Sequence, residues 1–123
     1  MISHRLIPSA VLATTLFLSG TMSFASSQVR ALDSKLTQAL IAVSKGQATK
    51  ANSLLNIEEF KKAAKKNNEL DVDLAILTKA RALYQLGRLD EAVNTYSLID
   101  QGSDRWTLAV EERAHAKAKA GQY

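Results

Sequence analysis

Hydrophobic and polar positions divide the chain near residue 25. Leu6 to Phe24 is a largely apolar run without a charge, whereas from Asp33 to Lys119 apolar and charged residues interleave throughout. The second tract contains no proline and is rich in Ala, Leu, Lys, Glu and Gln, the residues that lose least on entering a helix. This pattern predicts helices near 30–45, 49–66, 72–86, 90–99 and 105–120, with turns at Gly46, Asn67-Asn68, Gly87 and Gln101-Gly102-Ser103. Asp104 stands where it could cap the last of these helices.

The apolar run has the layout of a secretory signal peptide. A short start carrying Arg5 precedes it, and Ser23 and Ala25 place small residues at minus three and minus one of a cut before Ser26. As a membrane-spanning helix the run is diluted by Pro8, Ser9, Thr14, Thr15, Ser19, Gly20 and Thr21, and no basic stop-transfer cluster follows. The expectation is an exported protein, periplasmic or secreted, that touches the membrane only through residues 1–25 before cleavage. Without a cysteine anywhere, neither a lipoprotein anchor nor a disulfide framework is possible.

Small residues and glycines recur at fixed distances in the remainder. Seven residues separate Ala39 from Gly46, Ala80 from Gly87 and Ala114 from Gly121, and five separate Gly46 from Ala51 and Gly87 from Ala92. Small side chains permit close helix crossing, and a left-handed glycine ends the first helix of each pair. Shifting residues 73–89 by 34 positions aligns Leu74, Ala75, Ala80, Ala82 and Gly87 with Leu108, Ala109, Ala114, Ala116 and Gly121.

On these residues the chain resembles the tetratricopeptide repeat family, whose units are helix-turn-helix pairs of 34 residues. Ala80, Leu83, Gly87, Leu89, Ala92 and Tyr96 stand at the family's signature positions, and Ala114, Gly121 and Tyr123 at those of the next unit. Lys79, Arg113 and Lys117 depart from the signature, no proline closes either unit, and Gly46 to Gly87 is seven residues longer than the period. A lengthened second helix from about Thr49 to Lys66 would absorb that excess. The resemblance implies an all-α fold of antiparallel helix-turn-helix repeats stacked as an α-solenoid, the last repeat incomplete. Residues 26–72 would form a degenerate first repeat, 73–106 a full one and 107–123 the first helix of another.

Charge and chemistry narrow the function classes. Removing residues 1–25 takes one basic residue from the 16 and lowers the net charge from +4 to +3, with both signs mixed along the chain, which argues against a nucleic-acid footprint. Only His115 remains of the two histidines, so a zinc site cannot be built from imidazole and cysteine, and the glycines are too isolated for a phosphate loop. No catalytic site, cofactor or metal is expected. Lys61, Lys62, Lys65 and Lys66 follow Glu58 and Glu59 at helical spacing, which reads as a solvated face, with anionic lipid or an acidic partner as the alternative. Trp106 reads as a packing residue that fixes the start of its helix.

What the resemblance implies for function is a concave groove that holds a segment of another protein, as in an envelope adaptor or assembly factor. Carried onto this chain, the groove face is Leu74, Leu77, Arg81, Tyr84 and Gln85 in one unit and Glu111, His115 and Lys119 in the next. Leu77, Thr78 and Glu112 do not reproduce the family's clamp for a peptide carboxylate. Arg81 and Tyr84 are the expected anchors. Two alternatives stand beside this: the amino-terminal, non-catalytic part of a larger envelope protein or enzyme, since Gly121-Gln122-Tyr123 falls where a second helix is expected, and a module that self-associates through its open terminal repeat.

Overall fold

A computed structural model describes residues 27–121. The signal-peptide reading of residues 1–25, the cut before Ser26 and the alignment of Tyr123 lie outside the described residues. The described chain is all-helical: α1 (27–44), α2 (Ala48–Leu54), α3 (Ile57–Lys66), α4 (Val72–Gln85), α5 (Leu89–Tyr96) and α6 (Trp106–Ala120). None of these helices is long and apolar enough to cross a membrane.

The recurring glycines end three helices in one conformation. Gly46, Gly87 and Gly121 have φ of 74°, 77° and 78°, a region that L side chains enter only at a cost of about 1–2 kcal/mol. Behind α1, the Gly46 amide donates to Val43 O and the Gln47 amide to Ala42 O. Behind α4, the Gly87 amide donates to Tyr84 O and the Arg88 amide to Leu83 O. Both are the paired hydrogen bonds of a Schellman turn, which satisfies carbonyls that the helix end leaves free. Gly102 has no positive φ and lies in the looser stretch between α5 and α6.

The small residues flanking these turns are where the helices meet. Ala39 and Ala51 around the first turn, and Ala80 and Ala92 around the second, all have zero exposure. A single cluster joins them to Leu36, Leu55, Phe60, Ile76 and Leu83 and extends to Ala109 and Ala116 of α6. Helix α4 is central: it packs on α2, α3 and α5, and α5 in turn packs on α6.

The predicted single helix over 49–66 is two helices. Leu55 is extended at φ −112° and ψ 100°, and Asn56 restarts the chain, its side-chain oxygen accepting the Glu59 amide at 3.2 Å. Leu55 and Phe60, the residues before the cap and four positions into α3, are 1% and 0% exposed and occupy the two positions of a hydrophobic staple. Breaking the helix turns Ile57, Phe60 and Ala63 into the core, which a straight continuation of α2 would not achieve. The seven surplus residues therefore build an extra element instead of lengthening one.

The start of α6 also differs from expectation. Arg105 occupies the cap position and Asp104 makes no capping hydrogen bond; Ser103 Oγ accepts the Arg105 amide instead. Arg105 reaches back 34 residues to Asp71, the cap of α4, with Nη2 at 2.8 Å from Oδ2, while Ser103 Oγ donates to Asp73 Oδ2. These bonds tie the starts of α4 and α6 together. Trp106 is half-buried against the core at the first turn of α6, as a packing residue would be.

Two of the departures from the repeat signature have a structural reason. Lys79 Nζ donates to Asn52 O at 3.0 Å, a carbonyl in the last turn of α2, and Arg113, 34 residues on, donates to the hydroxyl of Ser97, which ends α5. At both positions a cation meets the negative end of an earlier helix. Burial, followed by repulsion from Arg88, holds the Lys79 ammonium below the usual lysine range.

Candidate functional site

A concave cavity of about 380 Å³ opens where α1, α4 and α6 face one another. Val43 comes from α1, Arg81, Tyr84 and Gln85 from α4, Tyr96 from α5, and Glu112 and His115 from α6. Its size falls near the lower end of the range of small-ligand pockets, about 300–1,000 Å³.

The floor is a closed polar network. Arg81 meets Glu112 through two parallel hydrogen bonds, Nε to Oε1 at 2.8 Å and Nη2 to Oε2 at 2.7 Å, and the Tyr96 hydroxyl donates to Oε1 at 3.0 Å. All three side chains are half-buried or deeper, and they come from three helices, so the network fixes α6 on the α4–α5 pair. Burial alone would raise the Glu112 carboxyl. The hydrogen bond and charge of Arg81, the Tyr96 hydroxyl and the charge of His115 outweigh it, leaving the carboxyl below its usual range. Burial first, and then the Glu112 charge, pushes the Tyr96 phenol well above its usual range.

Around this floor the wall is less committed. Gln85 Nε2 donates to Val43 O at 3.1 Å and closes α1 onto α4. The Lys119 ammonium stands 5.0 Å from the centroid of the Tyr84 ring, within cation–π reach. Neither Lys119 nor His115 takes part in a salt bridge among the described residues, and both are exposed.

Four of the eight residues assigned to the groove from sequence, Arg81, Tyr84, Gln85 and His115, line this cavity together, and Lys119 stands at its edge over Tyr84. Leu77 does not reach it: at 1% exposure it is a core residue. Leu74 is half-buried against the core, its carbonyl occupied by the Thr78 hydroxyl at 2.7 Å. Glu111 is exposed and outside the lining, where Glu112 takes the acidic position. Glu112, Tyr96 and Val43 are the additional lining residues. Helical spacing could have found Glu112, because it lies three residues before His115 as Glu111 lies four before it, and both spacings share a helix face.

The lysines of α3 stand apart from the cavity. Lys62, Lys65 and Lys66 are exposed, and Glu58 pairs with Lys61 at 3.8 Å. Exposed pairs of this kind contribute little to stability. No group of three or more His, Cys, Asp or Glu side chains that could hold a metal ion occurs among the described residues. Compared with protein-family models, with curated proteins and with solved structures, the chain gives no significant match.

Proposed function

We propose that this chain is an exported binding module of the tetratricopeptide-repeat kind, which holds a segment of another protein in the cavity between α1, α4 and α6 and carries out no chemistry of its own. One observation carries the reading: the cavity presents Tyr84, Gln85 and His115 from two helices 34 residues apart in register, over a floor whose polar groups are already satisfied. A floor of this kind is rigid before a ligand arrives, so little ordering is lost when one binds. An aromatic wall with few polar groups is the usual make-up of a peptide-anchoring pocket.

The resemblance in sequence spacing and the matching turns at Gly46 and Gly87 support a stacked-hairpin arrangement in which first helices line the groove. Export rests on the pattern of residues 1–25. The role that follows is an adaptor or assembly factor in the cell envelope. Photo-crosslinking in the native host tests it: a benzoylphenylalanine at Gln85 should give a discrete protein adduct, and one at Lys65 on α3 should not. Equal adduct patterns from the two positions, or none from Gln85, would overturn the reading.

A further inference from the structure

Charge bookkeeping in the cavity singles out the kind of segment it takes. The sequence suggests Arg81 as a ligand anchor, but both arms of its guanidinium that face Glu112 are occupied, so the two charges cancel within the protein. Neither is available without breaking a half-buried ion pair, a change that costs more than a surface contact returns. The cation left without a carboxylate is Lys119, and beside it the His115 imidazole, which already faces Glu112, still offers a ring nitrogen to the wall. Lys119 lies over the Tyr84 ring, His115 lines the wall one helical turn before it, and neither has a salt-bridge partner among the described residues. Val43 and the ring of Tyr84 supply the apolar part of the wall.

From this we infer that the cavity takes an acidic, amphipathic peptide segment, with an apolar side chain against Tyr84 and Val43 and a neighbouring carboxylate received by Lys119 and His115. The inference rests on the reading of the cavity as a peptide site and adds the sign of its ligand. Lysine is well suited to the task, since its four-carbon stem can lie along the tyrosine while the ammonium turns to a carboxylate. A basic segment would meet the like charge of Lys119 and no free acidic group in the lining, so discrimination comes from repulsion as well as attraction.

The test uses the full chain and three capped synthetic peptides of one length: glutamate alternating with leucine and phenylalanine, and the same sequence with glutamine or lysine in place of glutamate. Titration calorimetry or fluorescence anisotropy should show the glutamate peptide binding about tenfold tighter than the glutamine one and the lysine peptide weakest, with affinity falling as salt rises. Lys119→Gln should remove most of the glutamate preference while leaving the glutamine peptide unaffected, and Lys65→Gln should change nothing. Equal affinity for all three peptides would overturn the acidic preference and leave the peptide site standing. Tighter binding of the lysine peptide would reverse its sign. Failure of every peptide to bind, with the helical circular dichroism of the chain intact, would overturn both the preference and the peptide site.

Discussion

Helices α4 and α6 share a register and part company in their surroundings. Ala75 and Ala109 are buried in both, as are Ala82 and Ala116, and each helix is followed by a left-handed glycine. Yet Ala80 has zero exposure while Ala114 is exposed, Leu77 is core while Glu111 is in solvent, and Leu83 at 3% corresponds to a half-exposed Lys117. Helix α4 packs on α2, α3 and α5, whereas α6 packs chiefly on α5. The repeated spacing therefore sets where a helix ends and which of its alanines are buried. The number of neighbours sets which residue types can stand elsewhere. Because α6 is free to carry charge, it supplies Glu112 to the cavity floor and His115 and Lys119 to its wall.

The difference can be broken most sharply at the paired alanines. Ala80→Leu should overpack the α4–α5 contact and cost about 3 kcal/mol, while Ala114→Leu should fall within about 0.5 kcal/mol of the parent, as read from urea unfolding. Similar losses at both positions would mean that α6 is as enclosed as α4.

Next in size comes the ion pair between the two helices. Glu112→Gln should leave the half-buried Arg81 without its counter-charge and cost about 2 kcal/mol, whereas Glu111→Gln should cost almost nothing. Its acid dependence has a definite sign. The folded Glu112 carboxyl titrates below its ordinary value of 4.5, so the unfolded chain binds more protons in that interval. The stabilisation is complete above pH 4.5 and is lost as pH falls through the folded value. The difference in melting temperature between parent and Glu112→Gln should therefore shrink as pH is taken progressively below 4.5; a difference that stays constant would detach Glu112 from Arg81.

Smaller again is the effect at the turns. Gly87→Val forces a β-branched residue to φ 77° and should cost about 1–2 kcal/mol, although a Cβ there would meet no atom within 4 Å, so the penalty is conformational rather than steric crowding. Gly102→Val, at a position without positive φ, should be close to neutral. Equal melting temperatures for the two variants would contradict the assignment of Gly87 to the repeated turn.

Those turns were legible in the sequence for a physical reason: a left-handed helix end selects glycine, close helix crossing selects alanine, and both requirements are local. The break between α2 and α3 was harder to see because helix-favouring residues lie on both sides of it. Its signal was Asn56-x-x-Glu59 after a leucine, a capping pattern hidden inside an otherwise helical stretch. That Glu112 and not Glu111 lines the cavity was hidden for another cause. Both fit the face shared with His115, and only the rotation of α6 against α5 decides which one meets Arg81. The engagement of Arg81 within the protein is likewise a tertiary fact, since its partner lies 31 residues away on another helix. Lys79 and Arg113, odd as members of the repeat signature, became intelligible once the ends of α2 and α5 were in view.

Most direct for the claim that α4 and α6 together present a ligand-binding wall is a titration of the 15N-labelled chain with the glutamate-containing peptide, followed by amide chemical shifts. The account predicts saturable shifts centred on Tyr84, Gln85, His115 and Lys119, with α3 unmoved. Shifts centred instead on Leu108 and Ala114, along the exposed side of α6, would contradict it and place binding on that open edge.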